Sequence, residues 1–221
     1  MSDFTVQGAS VTLPNFNPST AGDGPVAITK RGEVLTVPWY QAWVDKERGY
    51  IASNAAKQTA LATGGTSYSD TAPAFILDVA TGTTMIPLQI RLRQGGTVAG
   101  GVITVLITAD VIARYSSGGT AITARNMKMG PTAAARRTSA VTVYGTSPTA
   151  AAVNTHISLL GAIITHDVAT TPNTPQTFLE WPAIGEVVPH LVGPASLVIY
   201  AFAATTQASW FFSFKWIEVD S

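Results

Sequence analysis

Apolar and polar positions alternate along much of this chain. Residues 86–93 carry the pattern most plainly, with Ile86, Leu88, Ile90 and Leu92 on one face and Gln89, Arg91 and Arg93 on the other. Period two is the mark of a half-buried strand. Residues 102–113 repeat it: Ile103, Val105, Ile107 and Val111 against Thr104, Thr108 and Asp110. In residues 210–219, Trp210, Phe212, Phe214 and Trp216 share a face and Ser213 and Lys215 take the other. Four aromatic rings on one strand face bury a large area and are expected to anchor the core. Residues 196–203 depart from alternation, because Leu197, Val198, Ile199 and Tyr200 are consecutive. Such a strand is expected to be covered on both faces. Further strands are predicted over residues 33–44, 75–79, 121–127, 140–144, 156–165 and 177–181.

The breaks between these segments have turn chemistry. A charged turn is predicted at residues 45–49, a Gly-centred turn at 81–83, and flexible connections at Gly95, Gly96, Gly100 and Gly101 and at Gly118 and Gly119. Residues 53–63 read either as a short helix capped by Ser53 or as a long loop ending at Gly64 and Gly65. About ten short strands with almost no helix predict an all-β sandwich or barrel. A jelly-roll β-sandwich of about 8–10 antiparallel strands fits the length. No internal repeat and no dividing linker is visible, so residues 33–221 are expected to form one domain. Residues 1–32, broken by Pro14, Pro18, Gly22, Gly24 and Pro25, read as an extended N-terminal arm. In assemblies such arms can lie across a neighbour.

Composition narrows the function classes. Charged residues are 12% of the chain, against roughly 25% in an ordinary soluble domain. A subunit whose faces are covered by neighbours needs less charge than a monomer does. Basic and acidic residues balance at 13 each, and the arm's only basic residues are Lys30 and Arg31. No nucleic-acid partner is therefore expected. There is no cysteine, so disulfide frameworks, thiol nucleophiles and cysteine metal sites are out. Neither a basic-apolar leader nor an apolar run of about 18 residues appears, so no membrane association is expected and synthesis in a cytoplasm is.

A search for chemistry returns little. His156, His166 and His190 form no metal-ligand spacing, and His166 and Asp167 would face opposite ways on a strand. Glu180, Glu186 and Glu218 are the carboxylates available for a facing pair, and Asp70, Asp78 and Asp110 are the candidate positions for an adventitious ion. No nucleophile elbow, phosphate loop or dinucleotide fingerprint is present. No catalytic role, cofactor or metal is expected. Two clusters stand out as interaction candidates. Trp39, Tyr40 and Trp43 cannot all face one way on a strand, so one ring is left outside the main core, either for an interface or for cover by a loop or the arm of the same chain. Arg136 and Arg137 follow a run of small residues and read as an exposed basic loop tip. Trp181, beside Glu180, is a further candidate surface aromatic.

Three stretches carry a family likeness. They are Pro73-Ala-Phe-Ile-Leu-Asp-Val-Ala-Thr-Gly-Thr-Thr-Met-Ile-Pro-Leu88, Gly118-Gly-Thr-Ala-Ile-Thr-Ala-Arg-Asn126, and Pro194-Ala-Ser-Leu-Val-Ile-Tyr200 with Trp216-Ile-Glu218. In these the chain resembles virion structural proteins of tailed bacteriophages, of the jelly-roll capsid decoration or cement type. The resemblance implies a homo-oligomer, often a trimer, that sits on the capsid surface, binds the major capsid protein and has no catalytic residues. Two rivals share the architecture. One is a carbohydrate- or receptor-binding β-sandwich that stacks sugars on Trp39 or Trp181. The other is a small-virus coat protein, which the neutral arm disfavours as a genome binder.

Overall fold

The computed structural model describes residues 39–55, 58–95, 102–130, 136–153, 158–159, 164–167, 178–182 and 187–221. The arm therefore lies outside the described residues, as do His156, Glu186 and residues 33–38 of the first predicted strand. One helix, α1 (Trp39–Asp45), precedes β1 (Gly49–Ser53), β2 (Leu61–Ala62), β3 (Phe75–Val79), β4 (Thr83–Gly95) and β5 (Val102–Asp110). Next come β6 (Tyr115–Ser117), β7 (Thr120–Ile122), β8 (Arg125–Asn126), β9 (Val141–Gly145) and β10 (Thr149–Ala150). The chain continues through β11 (Ser158–Leu159), β12 (Ile164–Asp167), β13 (Phe178–Trp181), β14 (Leu191–Val192), β15 (Ala195–Ala203) and β16 (Ser209–Asp220).

Among the described residues the strand ladders are antiparallel. The first sheet runs β13-β4-β16-β1-β8, with β14 also on β4 and β2 also on β16. The second runs β11-β5-β15-β3-β9-β7, with β12 also on β5, and β6 and β10 form a separate pair. Alternation dictates what lies between the sheets. Trp210, Phe212, Phe214 and Trp216 of β16 enter one core with Phe75, Leu77 and Val79 of β3, Ile103, Val105 and Ile107 of β5, and Leu197 and Ile199 of β15. The Phe75 ring centroid lies 4.8 Å from Phe212 and 5.1 Å from Phe214. Each fully buried ring or aliphatic side chain contributes on the order of 1.5–3 kcal/mol relative to exposure.

The doubly covered strand is also present. The other face of β15 puts Val198 and Tyr200 into a second cluster with Ile76 and Ala150. The β6–β10 layer lies over it, and Tyr115 stacks on Tyr144 at 3.6 Å.

Three expectations need correction. Residues 39–45 are helical, not extended. Short apolar runs do not distinguish helix from strand by pattern alone. What favours the helix here is its exit. Arg48 N–H donates to the Trp43 carbonyl and Glu47 N–H to that of Val44, while Glu47 takes a φ of 63°. This is a Schellman stop with glutamate where glycine is usual. Val44 then lies over Gly49, where an added Cβ would sit 2.5 Å from Val44 Cγ2.

Secondly, the alternation of residues 86–93 slips. Lys215 pairs with Gln89 but Trp216 pairs with Pro87, which leaves Leu88 as an extra residue in a β-bulge. Ile90 and Leu92 stay in the core, whereas upstream of the bulge Met85 points inward and Ile86 leaves the core cluster. Thirdly, β5 stops at Asp110, and Val111 is 65% exposed instead of continuing the buried face. Of the two readings for residues 53–63, the helix is not formed among the described residues. Leu61–Ala62 instead pairs with β16.

Candidate functional site

The register places many features at one end of the sandwich. Gly49 pairs with Ile217, Asp220 with Thr83, Val192 with Thr84, Ala195 with Val79, and Ser196 with Asp110. The start of β1, the end of β5, β14 and the tail of β16 therefore share that end, and α1 leads into it. Here the chain exposes Val111, Ile112 and Val192, and on α1 Trp39 at 43% and Tyr40 at 47%. Met129 is 76% exposed, next to Lys128, whose Nζ donates to the Asp45 carbonyl at 2.7 Å. Val111 and Val192 also line a shallow groove of about 320 Å³ with Pro189 and His190. Trp39 and Tyr40 pack edge to face, centroids 6.1 Å apart. Trp43 is half-buried beneath the Lys46 ammonium, 5.3 Å from its ring centroid.

Charge at this end is consumed internally. Arg136 is paired with Glu47, and Lys128 lies 3.7 Å from the same carboxylate. Arg137 reaches Asp220 at 2.8 Å, and Arg48 grips the other side of that carboxylate. The two arginines singled out as a free basic loop tip are thus tied down. The Arg136 guanidinium holds the Glu47 carboxyl below its ordinary value, and Arg48 with Arg137 does the same to Asp220 more strongly. A depressed carboxyl stabilises the fold above its unfolded value, about 3.9 for aspartate. That stability is lost as pH falls through the folded value. Melting temperature is expected to fall less steeply between about pH 5 and pH 3 in Asp220→Asn than in the parent. Equal slopes in differential scanning calorimetry would contradict the assignment. Asp220 is mostly exposed, so the effect is small.

The other candidates are dispersed. Trp181 is 3% exposed and sits in the core, so it offers no stacking platform. Glu180 is spent on Arg91 and Gln89 on the outer face of its sheet; Arg91 holds its carboxyl below the ordinary value. Glu218 is fully buried and accepts from Ser139 Oγ at 2.6 Å, Trp216 Nε1 at 2.9 Å and the Ala140 amide at 3.0 Å. Its strand partner is Met85 and that of Glu180 is Arg91, about 20 Å apart along β4. These two acids cannot flank one bond. His190 is exposed, and of the His166 side chain the structure gives no description.

Asp70, Asp78 and Asp110, named as possible ion sites, do converge, but on a cation the chain itself supplies. Arg114 is completely buried. Its Nη1 donates to Asp110 at 2.6 Å, its Nη2 to Asp70 at 3.0 Å, and its Nε to the Ala151 carbonyl at 2.8 Å. Its amide donates to Ser196 Oγ at 2.8 Å and Asp78 at 3.1 Å. Asp78, Ser196 and Asp110 form one cross-strand row on β3, β15 and β5. Burial raises the Tyr200 phenol, whose oxygen lies 3.0 Å from the Asp70 carbonyl, far above its ordinary value. Among the described residues no group of acids and histidines is placed to hold a metal ion. The only sequence signal for this cluster was a polar residue inside an otherwise apolar strand, Asp78 in Phe-Ile-Leu-Asp-Val.

A larger groove of about 620 Å³ opens on the β1 side, lined by Ile51, Ser53, Leu61, Ile122, Thr123 and Arg125 among others. Among the described residues no helix is long and apolar enough to cross a membrane. Comparison of the chain with protein-family models, with curated proteins and with solved structures found no match.

Proposed function

We propose that this chain is a non-catalytic structural subunit of a virus particle, a jelly-roll capsid decoration or cement protein that works as a homo-oligomer on the capsid surface. The observation that carries the reading is the apolar end. Trp39, Tyr40, Met129, Val111, Ile112 and Val192 are exposed there, while Arg48, Lys128, Arg136 and Arg137 are engaged within the chain. Exposed apolar surface beside internally neutralised charge favours contact with protein over contact with nucleic acid or solvent. Two strand orders support the jelly-roll part: β1-β16-β4-β13 in one sheet and β3-β15-β5-β12 in the other. That is the succession produced when an antiparallel ribbon is wrapped into two facing sheets. The short strands β6 to β10 then form an insertion.

Sedimentation of the full chain at micromolar concentration is expected to give a compact oligomer. Trp39→Ala with Tyr40→Ala is expected to weaken association at least about 30-fold, as for anchor residues at an interface. Genes for a capsid, portal or terminase protein are expected beside the coding gene. A monomer at 100-fold higher concentration than the parent oligomer requires, together with neighbours of an unrelated pathway, would overturn the reading. Saturable binding to a glycan array that is lost on Trp39→Ala would replace it with the sugar-binding alternative.

A further inference from the structure

Positive charge is not neutralised everywhere as it is at the apolar end. Arg48, Arg91, Arg114, Lys128, Arg136 and Arg137 are ion-paired within the chain, and Lys46 covers the Trp43 ring. Among the described residues Arg93, Arg125 and Lys215 make no ion pair. The strand register puts these three on one surface. Tyr50, Ala52, Ile90, Leu92, Phe212 and Phe214 face the core, so the residues alternating with them form the outer face of the first sheet. There Lys215 stands opposite Ile51, and Ile51 opposite Arg125. Two residues along the strands, Arg91 is flanked by Ser213 and Glu180. Two further on, Arg93 is opposite Phe211. Strand spacing and rise place all four cations within a patch about 20 Å across. The rows lead away from Asp220, so the patch is separate from the apolar end.

We propose that this face binds an acidic surface of a different protein. Charge complementarity argues for it first. Among the described residues the rows hold one acid, Glu180, which Arg91 already grips and Lys215 attracts from alongside. The remaining guanidinium groups are suited to bidentate pairing with carboxylates. The rest of the surface separates a protein from a phosphate polymer. Ile51 and Phe211 stand half-buried between the cations, and arginine interleaved with aromatic and apolar side chains is the make-up of a protein interface. A carboxylate in the middle of the patch would also repel a continuous run of phosphates, whereas a folded partner can meet it with a donor. A second copy of this chain is a poor match. Among acids whose side chains are described, all but Asp45 are bonded within the chain. The inference does not depend on the virion reading.

Poly-L-glutamate serves as the probe. In anisotropy titrations the full chain is expected to bind it saturably, at least about tenfold more weakly when salt is raised from about 50 to about 300 mM. Arg93→Ser with Lys215→Ser is expected to weaken binding at least about tenfold, and Lys46→Ser, off the face, to change it less than about twofold. Neither substitution breaks an ion pair, so melting temperatures are expected to stay within about 2–3 °C of the parent. Carbodiimide coupling is expected to join the probe to Lys215, read by peptide mass spectrometry. A folded chain that does not bind the probe, or binding unchanged by the double substitution, would overturn the proposal. Tighter binding of single-stranded DNA of equal charge, lost in the same variant, would give the face to nucleic acid instead. Loss of self-association in Arg93→Glu with Lys215→Glu would give it to a second copy, and either result would also sink the proposal.

Discussion

Arg114→Met is expected to lower the melting temperature by about 10 °C. The substitution keeps most of the side-chain volume and removes the charge. Asp110, 2% exposed, would then be a buried carboxylate that has lost its ion pair with Arg114. Breaking a buried pair from one side costs about 3–5 kcal/mol, and each kcal/mol moves a domain of this size by about 2–4 °C. The Nη and Nε donors also hold the Asp70 and Ala151 carbonyls, so the outer layer over β15 loosens with them. Val111 and Ile112 sit between Asp110 and Arg114, and the Ile112 carbonyl is bonded to Ser196 Oγ at 2.6 Å. The same substitution is therefore expected to loosen part of the apolar end and weaken self-association. Asp110→Asn with Arg114→Met should recover part of the lost stability, since both charges are then gone. Calorimetry decides: a melting temperature within 2–3 °C of the parent would mean that this cluster is not a linchpin of the fold.

The contrast between this cluster and the core shows which parts of the molecule are legible in sequence. The row Trp210, Phe212, Phe214 and Trp216 is local: period two alone puts all four rings on one side, and all four are in the core. The covered strand Leu197 to Tyr200 is equally local. Arg114 is not. Asp110 is four residues away, but Asp70, Ala151 and Ser196 lie far off in sequence, and only the folded sheets bring these to Arg114. Leu88 escaped for a related reason: a bulge is a property of the pair β4 and β16, invisible in β4 by itself.

The interaction candidates divide along the same line. Trp39 and Tyr40 are both exposed, where a strand would have left only one of them outside the core, because they lie on a helix whose stop depends on Glu47 reaching a left-handed φ. That conformation costs glutamate on the order of 1–2 kcal/mol, and its carboxylate is used by Arg136 and Lys128. Arg136 and Arg137 read as free charge because their acidic partners, Glu47 and Asp220, lie far away in sequence. Trp181 read as a surface aromatic because Glu180 stands beside it, yet alternation on β13 sends the two side chains to opposite faces.

Trp216→Ala is expected to destabilise the protein by about 3–5 kcal/mol, the usual range for deleting a large buried aromatic. Two losses add here. The ring is 1% exposed and stacks on Tyr50, centroids 6.1 Å apart, so truncation opens a cavity beside β1. Its Nε1–H is also a donor to Glu218, a fully buried carboxylate left to Ser139 and the Ala140 and Val141 amides. Trp216→Phe separates the two contributions. It retains most of the apolar volume and removes the donor, at a cost of about 1.5–3 kcal/mol for a hydrogen bond to a charged group. Adding Glu218→Gln to Trp216→Phe should then cost less than the sum of the single substitutions, because the charge needing that donor is gone. Denaturant titrations of the four proteins test this. Strict additivity would mean that the indole and the carboxylate stabilise the sandwich independently, and that Trp216 acts through its volume alone.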